Sequence, residues 1–196
     1  YGSMQSAGRA VEWAASLFGI KNLNKFDELA SEVAPGSEGL IFLPYLEGER
    51  APIFDSKARG VYFGIHVNHQ REHFLRATLE GVALALNSIL QIRTSENPIR
   101  RMRVVGGGAK SVIWRQIIAD VLQVDLLGLD IPSSAVATLG AAIAAAVGSG
   151  LFTDYEAAEH MITTSLLTNH APDAKKHYAR NIAIYQELYP RLKDLY

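Results

Sequence analysis

Val104-Val105-Gly106-Gly107-Gly108-Ala109-Lys110-Ser111, continuing as Val112-Ile113-Trp114-Arg115-Gln116-Ile117-Ile118-Ala119-Asp120, sets the frame for the whole chain. A short apolar run of strand type breaks into three glycines, and a helical pattern starts at Ser111. Three glycines in a row strip the backbone of side chains, so a ligand can approach the main chain closely. The helix that follows offers unpaired N–H groups and the positive end of its dipole, which suits an anion such as a phosphate. The stretch predicts an α/β layer with a nucleotide bound at the glycine turn.

The residues themselves leave several readings of that turn. A Walker A loop needs glycine where Val104 and Ala109 stand, so Lys110-Ser111 is not its Lys-Ser pair. A dinucleotide fingerprint needs glycine at Ser111; Asp130 has nearly the spacing of its acidic residue, but the third glycine is absent. The bland alternative is a turn packed tightly against a neighbour.

Outward from the turn, elements alternate. Val11, Ala14, Ala15 and Phe18 recur at helical spacing and stop at Gly19. Residues 22–34 carry a shorter helix ending at Pro35-Gly36, and Leu40-Ile41-Phe42-Leu43 reads as a buried strand. Val61–Ile65 is a second strand. The helix expected from Gln70 to Ile92 is apolar over too wide an arc for a surface helix, which predicts burial. Met102–Val105 is the strand before the glycines, and Val112–Leu122 the helix after them. Val124–Leu127 is another strand, and Ala135–Val147 an alanine-rich helix suited to close helix approach. Thr153-Asp154 caps a short helix, and Pro172 opens a last one to about Leu192, with Pro190 bending or fraying its end. Residues 1–196 are expected to form one α/β domain.

Composition narrows the function classes. Nineteen basic against twenty acidic side chains give a formal charge of −1, which supplies no drive toward nucleic acid or anionic membrane. The absence of cysteine removes disulfides, thiolate catalysis and Cys-based metal sites. The longest apolar run, Leu139 to Val147, is too short for a membrane span. The expectation is a soluble cytoplasmic protein, with no nucleic-acid or membrane partner and a homodimer left open.

Three clusters invite chemistry. His66, His69 and His73 have partial metal-ligand spacing, but Gln70 stands where a zinc-protease motif has glutamate, so capping and hydrogen bonding are favoured. No metal ligand is assigned. Glu47, Glu49, Asp55 and Arg59 lie in a Gly- and Pro-punctuated loop that reads either as a salt-bridged turn or as a cleft lining. Glu80-Gly81 inside the apolar helix requires a partner for the carboxylate.

Taken together the segments resemble the C-terminal domain of the FGGY family of carbohydrate kinases. Gly60-x-Tyr62-x-Gly64-Ile65, seven residues, then His73-Phe74-x-x-Ala77-Thr78-Leu79-Glu80 match the family's second signature position by position. Leu43-Pro44-Tyr45, Gly48-Glu49-Arg50-Ala51-Pro52 and Ala58-Arg59-Gly60 are similar to the family too, as is Leu139-Gly140-Ala141-Ala142. The run from Gly106 to Ser111, with Trp114, Gln116 and Asp120, resembles its adenosine motif.

The resemblance implies an actin-like, ribonuclease-H-like three-layer α/β domain with a mixed sheet flanked by helices. It implies ATP and Mg²⁺ as cofactors and a sugar hydroxyl as acceptor. D-xylulose giving its 5-phosphate leads, with gluconate, ribulose or glycerol as alternatives, and a non-catalytic nucleotide-binding module is the rival. Gly107, Gly108, Ala109 and Ser111 would lie along the adenosine and α-phosphate, with Gly8 and Glu12 facing them. The family's catalytic aspartate precedes the first residue of this chain, so no catalytic residue is assigned here. The partner is then the family's N-terminal, sugar-binding domain, and this stretch alone is expected to be inactive. Ala135-Val136 stands where many members carry an acidic residue, and no role is assigned there.

Overall fold

The computed structural model describes residues 2–92, 98–156 and 162–196. Helix α1 (Gly8–Leu17) and helix α2 (Leu23–Ser31) come first, then strands β1 (Ile41–Leu43) and β2 (Val61–Phe63). Helix α3 (Arg71–Gln91) leads to strand β3 (Arg101–Arg103), a 3-10 turn at Gly107–Lys110 and helix α4 (Val112–Leu122). Strand β4 (Asp125–Leu129), helix α5 (Val136–Gly148), strand β5 (Thr164–Thr168) and helix α6 (Ala174–Leu192) complete the order. β1 and β2 pair antiparallel. β3 runs parallel to β4, and β4 antiparallel to β5, so the three-stranded sheet is mixed.

Helix α3 is the spine. Every residue from Leu75 to Ala85 is buried, as the wide apolar arc predicts. Its start is fixed by His73, whose Nδ1 accepts the Gln70 N–H at 3.1 Å. Helices α1, α2 and α4 and strand β1 all pack on it. The β1 contact is close because residue 81 is glycine: a Cβ there would run into the Phe42 carbonyl. Across the β1–β2 pair, Phe42 stacks on Tyr62 with ring centroids 4.4 Å apart, and Tyr62 meets Phe74 of α3 edge-on at 5.1 Å. Such aromatic pairs add about 0.5–1.5 kcal/mol each beyond their buried area.

Glu80 finds the partners its burial demands. Arg76 Nε donates to it at 2.7 Å, the Gly36 N–H at 2.9 Å and the Ser37 hydroxyl at 2.8 Å. Arg76 also donates to the Val33 carbonyl at 2.8 Å and to the Tyr178 hydroxyl at 3.3 Å. The pair therefore ties α3 to the 33–37 loop and to α6. A buried ion pair of this kind contributes little by itself, but removing one partner strands the other at a cost of about 3–5 kcal/mol.

Several expectations change. Strand β5 had no sequence signal, because Leu166 is 55% exposed and the segment shows no in–out alternation. Helix α5 forms, yet buries only Ile143; the close helix approach read from its alanines is not made among the described residues. Pro190 leaves α6 running on to Leu192, where a 3-10 turn (Lys193–Leu195) takes over. Asp154 accepts the Glu156 N–H at 2.9 Å, and the short helix expected next extends outside the described residues. Among the described residues no helix is long and apolar enough to cross a membrane.

Candidate functional site

Gly106 takes φ +94° and turns the chain out of β3 into the 3-10 turn. Ser111 ends that turn and caps α4: its hydroxyl oxygen accepts the Trp114 N–H at 3.1 Å. The free N–H groups expected at this helix start are therefore reduced by one, satisfied within the chain. Arg115 reaches back to the Ala109 carbonyl at 2.6 Å and holds the turn closed.

The glycines divide their roles. A Cβ on Gly108 would stand 2.8 Å from the Trp114 ring, so this position is glycine for packing. Nothing lies within 4 Å of a Cβ built on Gly107, whose backbone is open to a visitor. Trp114 itself is only 8% exposed, and its indole N–H donates to the Leu79 carbonyl of α3 at 3.2 Å.

Gly107, Gly108 and Ser111 line one wall of a cavity of about 400 Å³, with Gly8 and Glu12 of α1 on another. Ala109 is not part of it and borders a second hollow with Arg115 and Ser165. Val11, Leu79 and Trp114 give the main cavity an apolar floor, and Leu23, Asn24 and Asp27 of α2 close a third side. That volume is in the range of small-molecule sites, and an apolar floor with few polar groups is their usual build.

The α2 contribution is what the sequence reading missed. Asn24 and Asp27 stand three residues apart on the helix face opposite buried Phe26, Leu29 and Ala30, which from sequence alone is a solvated face. Asn22 sets that face by capping α2: its side chain accepts the Asn24 N–H at 2.8 Å. Burial pushes the Asp27 carboxyl up from its ordinary range, and the neighbouring Ser111 hydroxyl partly offsets this. The helix that brings Gly8, Val11 and Glu12 to the cavity, α1, starts without a side-chain cap, its N-cap being Ala7. The cavity thus carries carboxyls on both helices, Glu12 of α1 and Asp27 of α2, with the Lys110 ammonium on the glycine turn.

The remaining clusters settle into structural contacts. His66 Nδ1 and His69 Nδ1 accept the N–H groups of Asn68 and His66 at 3.3 and 2.9 Å, the hydrogen-bonding role favoured above. Among the described residues no group of three or more His, Asp or Glu side chains is placed to hold a metal. In the 47–59 loop Glu47 pairs with Arg9 at 2.9 Å, and Arg59 donates to the Ala58 carbonyl at 2.9 Å. Glu49 is buried, its Oε1 accepting the N–H groups of Gln5 and Arg50 at 2.6 and 2.8 Å. Desolvation raises its pKa.

Known proteins resemble this chain along its length. It is 38% identical to a xylulose kinase of Lactococcus lactis over 97% of the chain, and spans 37% of that protein. A crystal structure of gluconate kinase from Lactobacillus acidophilus superposes on 97% of the chain with a TM-score of 0.85 at 30% identity, the chain covering 39% of it. That of Plasmodium falciparum glycerol kinase with ADP superposes on 97% with a TM-score of 0.78 at 26% identity, the chain covering 38% of it. The chain thus spans less than half the length of these relatives, and its mixed α/β architecture is theirs, the actin-like one. Residues 1–149 match the C-terminal domain model of the FGGY family of carbohydrate kinases, and the chain belongs to that family.

Proposed function

We propose that this chain is the ATP-holding half of a sugar kinase, with nucleotide in the cavity between Gly8 and Glu12 on one side and Gly107, Gly108 and Ser111 on the other. One observation carries the reading: the fold brings these five residues, about a hundred positions apart in sequence, onto one cavity of suitable size. The family membership and a relative solved with ADP support it.

The residues suit the group. An adenine ring fits an apolar floor of Val11, Leu79 and Trp114. Gly107 leaves the backbone clear for ribose or α-phosphate, with Ala109 in the same turn holding the main chain in place through its bond to Arg115. The uncapped start of α1 offers N–H donors to an anion. Mg²⁺ bound to the phosphates would neutralise charge developing in phosphoryl transfer, and the protein's task is to position the reactants. The acceptor hydroxyl and the aspartate that takes its proton belong, on this reading, to an N-terminal sugar-binding domain that closes on this one and excludes water.

D-Xylulose is the leading acceptor, by the identity to xylulose kinase. Gluconate stands beside it on the gluconate kinase likeness. The test has two arms. Calorimetric titration of the 196-residue chain should show ATP binding, and a coupled assay should show no sugar turnover by it. No ATP binding overturns the nucleotide site; turnover by the chain alone overturns the division of labour. Sugar-dependent ADP release by the whole gene product, with xylulose and gluconate in parallel, decides the acceptor.

A further inference from the structure

The wall that α1 gives the cavity is held in place from outside the cavity. Gly8 is the first residue of α1, Glu12 lies one turn further on, and both line the cavity. No side chain caps this helix, so a cap does not fix where it begins. The loop between β1 and β2 does so instead. Three contacts join that loop to the chain on both sides of Gly8. The Gln5 N–H donates to Glu49 Oε1 at 2.6 Å, the Ala51 N–H donates to the Ser3 carbonyl at 3.1 Å, and Arg9 pairs with Glu47 at 2.9 Å.

Of the three, the Glu49 contact is the one built to last. Arg9 and Glu47 are both exposed, and a surface pair of that kind contributes little. Glu49 is 4% exposed, and its Oε1 also accepts the Arg50 N–H at 2.8 Å, so the carboxyl is tied to its own loop while it holds Gln5. The loop in turn is closed on itself and anchored. Glu49 and Asp55 exchange backbone hydrogen bonds at 2.8 and 2.9 Å, and the Tyr189 hydroxyl of α6 donates to Asp55 at 2.9 Å. Ser6, beside Gln5, is fully buried. A continuous path therefore leads from α6 through Asp55, Glu49 and Gln5 to Gly8.

On the reading of the cavity as an ATP site, we propose that Glu49 is a positioning residue for the nucleotide, acting through Gln5 on the wall formed by Gly8 and Glu12. It lies outside the cavity itself. Gln5 and Glu49 border a separate hollow of about 330 Å³ with Arg50 and Ser56, and the two spaces share no lining residue. Holding the chain three residues ahead of Gly8 fixes the wall and leaves the first N–H groups of α1 unoccupied by any side chain. The contrast with Glu80 is instructive. Glu80 has partners on both oxygens, as a carboxylate serving the fold should. Glu49 Oε2 is buried without a partner among the described residues, an arrangement that costs stability.

The experiment has two arms, both on the full chain. In the first, amide hydrogen exchange of wild type is followed with and without saturating ATP. The Gln5 and Arg50 amides, both bonded to Glu49, should slow along with Gly107 although they lie outside the nucleotide cavity. In the second, calorimetric titration is run at a temperature where melting curves show each variant folded. Glu49→Ala should weaken ATP binding by roughly 5–20-fold, the lower part of the range for coupled sites. Glu49→Gln, whose amide oxygen still accepts from the Gln5 N–H, should return affinity to within a few-fold of wild type. A purely structural residue would lower the melting temperature in Glu49→Ala and leave ATP affinity unchanged, and that result overturns the proposal. So does a Glu49→Gln protein that binds as weakly as Glu49→Ala. If Glu49→Ala does not fold, the wild-type exchange arm decides. If wild type binds no ATP, the reading of the cavity has failed; if ATP protects Gly107 but not Gln5 and Arg50, only the role of Glu49 has.

Discussion

The Trp114 ring occupies the space where a side chain on Gly108 would begin, with Cζ3 only 2.8 Å from the position of a Cβ. Gly107, one residue earlier, has nothing within 4 Å of the same position. Two adjacent glycines are therefore glycine for different reasons, and valine substitution should separate them. Gly108→Val must displace a buried ring that is hydrogen-bonded to α3, at a cost of about 1–3 kcal/mol, the usual range for overpacking. Gly107→Val should leave the unfolding free energy within about 0.5 kcal/mol of wild type and still weaken ATP binding at least tenfold, by filling the approach. Urea unfolding and calorimetry on the two variants check both statements. A Gly107→Val protein with unchanged ATP affinity would reduce the glycine run to a tight turn.

Gly81 gives a prediction opposite in sign to helix propensity. Alanine in place of an interior helix glycine normally gains about 1 kcal/mol. Here the added methyl meets the Phe42 carbonyl and Cβ, both part of the buried β1 strand. Gly81→Ala should therefore destabilise, by about 1–3 kcal/mol, as α3 and β1 are pushed apart. A thermal melt showing a raised midpoint would contradict the packing at this crossing.

These glycines also show what the sequence could and could not reveal. Gly106–Gly108 stood out as a break between strand and helix, because a run of glycines is visible in one dimension, whereas Glu80-Gly81 drew notice for its carboxylate and the close approach of Phe42 to Gly81 did not show. Helices α1 to α4 were legible through apolar spacing and through stops such as Gly19, whereas the Asn22 cap of α2 came only with the structure. Strand β5 was not, since its register comes from pairing with β4 and not from its own pattern. The α2 wall of the cavity was hidden for a related reason. Asn24 and Asp27 read as solvated residues until the fold sets their face against the glycine turn. Trp114 was noted only as part of a motif; its role as floor of the cavity depends on α3 lying beneath it.

Helix α6 is fastened by tyrosine hydroxyls. Tyr185 and Tyr45 share a hydrogen bond at 3.0 Å, Tyr189 donates to Asp55 at 2.9 Å, and Tyr196 donates to the Arg59 carbonyl at 3.1 Å. Burial pushes the Tyr45 phenol up to about 12, with its bond to Tyr185 acting against this and the charge of Glu49 adding to it. Tyr185 is likewise raised by burial. A phenol raised in the folded state favours folding below the unfolded value of about 10 and loses that contribution as pH rises through about 12. Stability should thus fall steeply between those values in wild type and less steeply in Tyr45→Phe. At neutral pH Tyr45→Phe leaves the Tyr185 hydroxyl buried without its partner, costing about 1–3 kcal/mol. The double change to phenylalanine should cost less than the sum of the single ones. Urea unfolding from pH 7 to 11.5 measures all three.

In the acid range two aspartates should act with opposite signs. The His170 ring holds the Asp125 carboxyl below its ordinary range through a bond at 2.8 Å, with the His170 N–H adding to it. A lowered carboxylate stabilises the fold above its unfolded pKa, and that contribution disappears as pH falls through the folded value. Asp125→Asn should therefore melt lower than wild type at pH 7, with the gap closing toward pH 3. Asp27 is raised by burial, so its cost is absent while it is protonated and appears once pH has risen through its folded value. Asp27→Asn removes that cost: it should melt at or above wild type at pH 7, and the advantage should shrink on acidification. Melting curves at half-unit steps from pH 3 to 7 compare the two directly. If Asp27→Asn is less stable than wild type at pH 7, the carboxylate is held by the fold for structural reasons. If it is as stable or more so, the chain keeps a half-buried charge at a stability cost, which is what a residue retained for binding a ligand should do.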